Sequence, residues 1–426
     1  MQFKSYPSYQ NCGMEWLGNV PSHWEVNRLK KYLAERNEKN FPIKSTNLLS
    51  VTMYQGVIPL SEKQGAGGNK PKENLENYKV SYPNDIVLNS MNVIVGSVGL
   101  NNYTGLISPA YYALYNKNKS NNIHFFNFIF QDPFFQKGLF GLGNGIMYKE
   151  SEESGKLNTI RLKIPMEKLN QVILPCPHEK EQAAIVTFLD QETTKIDLLI
   201  NKQKKLIELL EDHRKSIISH TVTKGLDPNA LMKDSGVEWL GEVPAGWRIG
   251  RLKNLVSINN GSDYKDFEVV QSENAYPVYG SGGVFTYSSK YIYDKESVLL
   301  GRKGTIDKPL YVTSPFWAVD TMFYSQIKKG AYGKFVYYQA LGFPFDRYSS
   351  NTALPSMTQT DLLNLAVTIP PILEQIEITK FLDKENLKFD TLITKQNQLI
   401  DKLKEYRASI ISHAVTGKID VRGLVA

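Results

Sequence analysis

The sequence predicts an α+β (mixed α/β) protein: two globular lobes joined to two long coiled-coil helices, arranged as an internal repeat. Two repeated pieces and the gaps between them carry this. Residues 13–33, GMEWLGNVPSHWEVNRLKKYL, return as residues 236–256, GVEWLGEVPAGWRIGRLKNLV, with 11 of 21 positions identical at a shift of 223. Residues 188–223 return as residues 381–416 at a shift of 193. Between the repeated pieces lie two stretches that do not resemble each other, the second shorter by 30 residues, the difference of the two shifts. A period of roughly 200 residues is far too long for a solenoid. It describes a duplicated frame holding two different inserts, which suits an asymmetric, two-part target. On this reading the first lobe spans 1–172, a central helical region 173–227, the second lobe 228–367 and a C-terminal helical region 368–426.

The helices follow from heptad spacing. Ile196, Gln203, Leu210 and Ile217 recur every seven residues, with Leu199, Leu206 and His213 as a second row and Ile200, Ile207 and Arg214 beside it. The copy supplies Phe389, Gln396, Leu403 and Ile410, then Leu392, Leu399 and Tyr406. Charged flanks such as Lys204, Lys205, Glu208 and Glu211 complete a coiled-coil pattern. The pairing set is therefore Ile196, Leu199, Gln203, Leu206 and Leu210 against Phe389, Leu392, Gln396, Leu399 and Leu403. The competing reading packs each helix on its own lobe. Identical patterns in both copies favour mutual pairing, and a seam glutamine in each helix would fix the register. Asp190 and Asp383 read as N-caps that begin the long helices and end shorter ones starting at Glu179 and Glu374. From Thr193 to His220 the helix would run roughly 42 Å, against roughly 34–36 Å for one turn of B-DNA.

Composition bounds the class. Over 426 residues, 42% hydrophobic and 22% charged content suit a folded protein with more than one core. No apolar run is long enough for a membrane span, and the start, MQFKSYPSYQ, lacks the apolar stretch of a secretory signal. Cys12 and Cys176 have no ligand-like spacing, so a cytoplasmic, disulfide-free protein is expected. The net charge of +7 is concentrated in residues 1–172, which hold 19 Lys+Arg against 13 Asp+Glu. That excess is compatible with a polyanion partner.

The inserts read as mixed structure. Asp85-Ile-Val-Leu-Asn and Ser297-Val-Leu-Leu-Gly are strand-like, short helices are expected at 123–137 and 333–341, and Gly65-Ala-Gly-Gly-Asn and Gly280-Ser-Gly-Gly read as exposed loops. Enzyme signatures are missing. No adenine-methylating Asn-Pro-Pro-Tyr motif and no Walker lysine motif occur, and the glycine spacing of Leu139-Phe-Gly-Leu-Gly-Asn-Gly lacks its strand and acid. The six histidines have no metal spacing.

The frame WLGNVPSHWEVNRLK and WLGEVPAGWRIGRLK, each followed by an insert and then by Pro177…Glu181-Gln182 or Pro371…Glu374-Gln375, Phe-Leu-Asp and Ile-Ser-His, resembles the DNA specificity subunit of type I restriction–modification systems. The resemblance covers nearly the whole chain and recurs twice in order. It implies two target recognition domains held apart by an antiparallel helix pair, with a pseudo-twofold axis that brings the termini together. Each domain would read a few base pairs of double-stranded DNA, leaving a spacer unread. The chain itself would bind no cofactor and catalyse nothing. Two methyltransferase subunits, carrying S-adenosylmethionine, would dock on the helices and methylate adenine; motor–nuclease subunits, using ATP and Mg, would cleave. A free-standing DNA-modifying enzyme and a two-lobed interaction scaffold are the alternatives.

DNA contact needs forked or amide groups for base edges and cations, hydroxyls or backbone N–H groups for phosphates. In the second insert these are Arg302 and Lys303 between two glycines, then Tyr279, Ser281, Lys290, Thr352 and Ser356. A solvated basic turn is the competing reading of Arg302-Lys303. In the first insert the candidates are Asn89, Ser90, Asn101, Tyr103, Tyr148 and Lys149. Trp16, Trp24, Trp239 and Trp247 recur in the frame and are expected to anchor it.

Overall fold

The computed structural model describes residues 3–53, 55–63, 74–144, 163–345 and 356–424. It divides into two compact units, Met1–Asn201 with Leu399–Ala426, and Lys202–Gln398. Each unit holds one lobe and a stretch of both long helices.

Those helices are Glu179–Lys224 and Ile372–Val415. Neither contains Gly or Pro, so nothing interrupts the backbone ladder. This corrects the expected N-caps: Asp190 and Asp383 lie inside helices that already run unbroken from Glu179 and Ile372. Asp383 instead accepts hydrogen bonds from Lys334 Nζ (2.7 Å) and Tyr338 Oη (2.6 Å). The helices stop where a left-handed residue is needed, at Gly225 (φ 76°) and Gly417 (φ 68°). After Gly417, the Lys418 N–H reaches back to the His413 carbonyl at 2.8 Å, satisfying an orphan acceptor.

In both units the helices run antiparallel. In the first, Trp24 donates from Nε1 to Glu181 near the start of one helix (3.0 Å). The same indole lies 3.1 Å from where a Cβ on Gly417 would sit, at the end of the other. Between them Arg407 Nε donates to Asp197 Oδ1 at 3.0 Å. In the second unit, Gly225 at one helix end faces Trp247 and Glu374 at the other helix start. There Arg214 Nη2 donates to Asp390 Oδ1 at 2.5 Å. Asp197 and Asp390 are the same position in the repeat, as are Arg214 and Arg407. One contact is thus made twice, with donor and acceptor helices exchanged.

Burial narrows the expected seam. Ile196, Ile200, Phe389 and Ile400 are buried, and Gln203, Leu210, Gln396 and Leu403 are half-buried. Leu199, Leu206, Leu392 and Leu399 remain 39–44% exposed. The physical reason is angular: at 100° per residue, Leu199 and Leu206 lie about 60–80° to one side of Ile196, whereas Ile200 and Gln203 lie within about 40°.

The lobes share a core their sequences do not. The first has a four-stranded antiparallel sheet in the order Leu33–Arg36, Tyr111–Asn116, Ile86–Asn89, Val98–Leu100. The second repeats that order with Val256–Asn260, Met322–Ile327, Ser297–Gly301 and Leu310–Val312. The additions differ. The first lobe has the hairpin Leu49–Thr52/Gly56–Pro59 and the pair Lys79–Ser81/Gly105–Ile107. The second has a further sheet of Glu268–Val269, Gly283–Ser288, Tyr276–Gly280 and Trp317–Ala318. The expected short helices are Ile123–Gln131 followed by Pro133–Gly138, and Gly333–Leu341. Apolar residues surround Ile123–Gln131, and Phe125, Phe126, Phe128, Ile129 and Phe130 are all buried.

Asp132 caps Pro133–Gly138, accepting from the Phe134 N–H at 3.0 Å, and receives Ser412 Oγ from the long helix at 3.4 Å. Burial dominates those bonds and pushes its carboxyl up to about 6. The folded state therefore holds the proton more tightly than the unfolded chain. Asp132 favours folding below its ordinary carboxylate value, and that contribution is lost as pH rises through about 6. Asp132→Asn keeps the capping acceptor without the charge. It should be more stable than wild type near pH 7.5 by about 3 kcal/mol, with the gap closing near pH 4, as read by thermal unfolding at both pH values. A gap independent of pH would contradict this. In the seam, Ile200→Asp should cost about 3 kcal/mol or more, whereas Leu206→Asp should cost under about 1 kcal/mol. Comparing the two melting curves checks the assignment, and equal losses would refute it.

Candidate nucleic-acid interface

The frame orients each lobe through a repeated glutamine. Gln182 donates from Nε2 to the Pro177 carbonyl (2.8 Å) while its Oε1 accepts from Asn122 N (2.7 Å), the cap of Ile123–Gln131. Gln375 donates to the Pro370 carbonyl (2.9 Å) and accepts from Tyr332 N (2.9 Å), the cap of Gly333–Leu341. Each amide thus ties the start of a long helix to the start of a lobe helix. All four frame tryptophans are packed: Trp24 and Trp247 are buried, Trp16 lies on Phe135 and Trp239 on Phe343.

In the second lobe the buried strand Ser297–Gly301 delivers Arg302 and Lys303 to its end. A Cβ on Gly301 would lie 2.5 Å from the Thr305 carbonyl oxygen, and Gly304 has φ 83°, so both glycines are required by the turn. Arg302 N donates to the Thr321 carbonyl (2.9 Å) and Met357 N to the Arg302 carbonyl (3.1 Å). Lys303 forms an antiparallel bridge with Ser356. The Arg302 side chain is half-buried, donating from Nη1 to the Asp320 carbonyl at 3.3 Å; the Lys303 side chain is exposed. Among the described residues neither makes an ion pair. Ser281, in the hairpin turn between Tyr276–Gly280 and Gly283–Ser288, places Oγ 4.0 Å from where a Cβ on Gly304 would be. The structure therefore brings Ser281, Arg302, Lys303 and Ser356 into one neighbourhood. Tyr279 is half-buried against Phe316 (6.1 Å), and burial keeps its phenol protonated by pushing its pKa up. Lys290 is exposed with Nζ 4.3 Å from the Phe267 ring centre. Thr352 lies outside the described residues.

In the first lobe the candidates are mostly committed to their own loops. Asn101 is fully buried, with Nδ2 donating to Ser81 Oγ (2.8 Å), the Tyr82 carbonyl (3.0 Å) and the Tyr103 carbonyl (2.7 Å). Ser90 is fully buried and donates to the Ala110 carbonyl at 2.6 Å. Asn89 caps its strand, accepting from Met91 N at 3.0 Å. Tyr103 is half-buried against the cluster of Leu49, Val51 and Val57. Tyr148 and Lys149, like the 65–69 loop, lie outside the described residues. Sequence reasoning passed over Phe285, which stands 54% exposed on the Ser281 hairpin. Its segment, Gly-Val-Phe-Thr-Tyr-Ser, reads as plain strand, and no composition signal separates it from a core aromatic.

Among the described residues no cluster of His, Cys, Asp or Glu is placed to hold a metal, and no helix is long and apolar enough to cross a membrane. What the second lobe presents is a basic, hydroxyl-bearing turn held on rigid strands, chemistry suited to phosphates and base edges.

Residues 244–405 match the type I restriction modification DNA specificity domain. A Methanocaldococcus jannaschii protein, described as a candidate specificity subunit of the type I restriction enzyme MjaX, is 22% identical over 440 residues, covering 95% of this chain and 96% of that one. In fold, a chain from a structure concerning complex assembly and conformational transition of the type I R-M system matches with TM-score 0.69 at 13% identity, over 93% of this chain and 98% of that one. The HsdS subunit from Thermoanaerobacter tengcongensis matches with TM-score 0.50 at 14% identity, over 94% and 98%. Fold and sequence together define a DNA-specificity class of protein. Residues 244–405 carry that specificity domain, and over nearly its whole length the chain is similar to type I restriction–modification specificity subunits.

Proposed function

We propose that this chain selects the DNA sequence on which a type I restriction–modification complex acts, each lobe reading one half of a bipartite, asymmetric target. The observation that carries this is the specificity-domain match, which runs from the second lobe into its long helix. The shared core sheet with different additions fits the same reading: one framework, two words. The lobes 1–172 and 228–367 are the reading domains. The helices set the unread spacer and dock two methyltransferase subunits. Those subunits bring S-adenosylmethionine and methylate adenine, and motor–nuclease subunits bring ATP and Mg. The setting is the cytoplasm. The domain match favours this over a free-standing enzyme or a protein-only scaffold.

Arg302 reads a base edge, because the Asp320 carbonyl pre-orients its fork; exposed Lys303 pairs with phosphate. Tyr279, Ser281, Lys290, Thr352 and Ser356 complete the contact set of the second lobe. In the first lobe Asn89, Tyr103, Tyr148 and Lys149 form the contact set, with Ser90 and Asn101 shaping the loops that present it.

Exchanging residues 34–172 for another family insert should change one half of the methylated sequence and leave the other intact, as read by methylome sequencing; a change in both halves would count against modular reading. Arg302→Ala should lose about 1–3 kcal/mol of discrimination at one base pair. Lys303→Ala should weaken all duplexes alike and lower the salt slope by about one. Titrations at several salt concentrations separate the two, and identical behaviour of both variants would refute the division of roles.

A further inference from the structure

The hairpin beside the Arg302–Lys303 turn is irregular in a way that displays one side chain. Val278 pairs with Thr286 and Tyr279 with Val284, so Phe285 is the extra, unpaired residue of a β-bulge. Bulges re-aim side chains and recur beside functional sites. Here the bulge holds an aromatic ring 54% exposed. Two features fix that ring. Tyr264 meets it edge-to-face at 5.4 Å with an interplanar angle of 84°. Gly280 leaves room beneath it: a Cβ there would lie 3.3 Å from Phe285 Cε1. The neighbouring Val284 is also 44% exposed. Next along the chain from Gly280, Ser281 abuts Gly304 of the basic turn. A greasy, pre-oriented tip therefore adjoins a cationic, hydroxyl-bearing one.

Resting on the function proposed above, we infer that Phe285 is a specificity-determining residue that recognises the 5-methyl group of a pyrimidine in the major groove. That methyl is the one apolar feature of the base edges there, and Phe is among the side chains that contact it. Arg302 would grip a neighbouring guanine edge while Phe285 covers the methyl. An exposed aromatic held rigid loses little conformational freedom on contact. The methyl can belong to thymine or to 5-methylcytosine, and the test separates the sources.

The full-length chain is used to select duplexes from a random pool. In the half assigned to the second lobe, each thymine is replaced by uracil and each cytosine by 5-methylcytosine. Removing the methyl at one thymine should weaken binding about fourfold. If the reader instead favours a modified cytosine, one 5-methylcytosine should strengthen binding by the same factor. Phe285→Ala should erase that difference while leaving the first half-site and the circular dichroism unchanged; Phe285→Leu should keep most of it. No methyl-sensitive position with wild type, or one that survives in Phe285→Ala, would overturn the inference. The wild-type scan needs no variant, so a folding defect cannot hide the answer. A wild-type chain that selects no sequence at all would bring down the proposed function itself, and this inference with it.

Discussion

Two ion pairs, Asp197 with Arg407 and Asp390 with Arg214, express the constraint on which the rest of the structure depends. They are one contact, made once in each unit with the helices exchanging roles. Duplication guarantees this only if the helices run antiparallel: what the first copy offers, the second copy accepts. Each pair is partly exposed, so neither contributes much energy by itself. The stabilisation comes from buried apolar residues, Ile196, Ile200 and Ile400 in one unit and Phe389 in the other, while the charges and the half-buried glutamines specify register. Gln203 Oε1 is buried without a partner among the described residues, a cost that an all-apolar seam would avoid.

From that seam the frame reaches outward by repeated devices. Gln182 and Gln375 tie lobe helices to helix starts, and the tryptophans pack helix ends against the frame strands. Because these contacts involve only frame residues and lobe caps, the surfaces beyond them are free to diverge. They have diverged: the same four-strand order carries a hairpin in one lobe and a second sheet in the other. The proposed reading residues Ser281 and Arg302 lie on an added hairpin and at the end of a core strand, away from the frame contacts.

Much of the frame was legible in the sequence because repetition and heptads are backbone-level signals. The boundaries were less so. Asp190 and Asp383 have the chemistry of N-caps, yet an uninterrupted run of helix formers outweighs a local capping preference. Heptad spacing alone does not centre the seam, since Leu199 and Ile200 both fit a heptad and only packing chooses between them. At the interface, polarity was visible but burial was not. Asn101 has ideal groups for a base edge and uses them on Ser81, Tyr82 and Tyr103 of its own lobe. Phe285 was invisible for the opposite reason, because a bulge depends on pairing across the hairpin rather than on the residue displaced.

The central claim is that a paired-helix frame sets spacing while the lobes set sequence. Its most direct test is to lengthen both long helices by one turn, about 5.4 Å, and map the methylated sites of the assembled complex. Against a rise of roughly 3.4 Å per base pair, the account predicts a spacer one or two base pairs wider with both half-sites unchanged. An unchanged spacer, or a rewritten half-site, would contradict it.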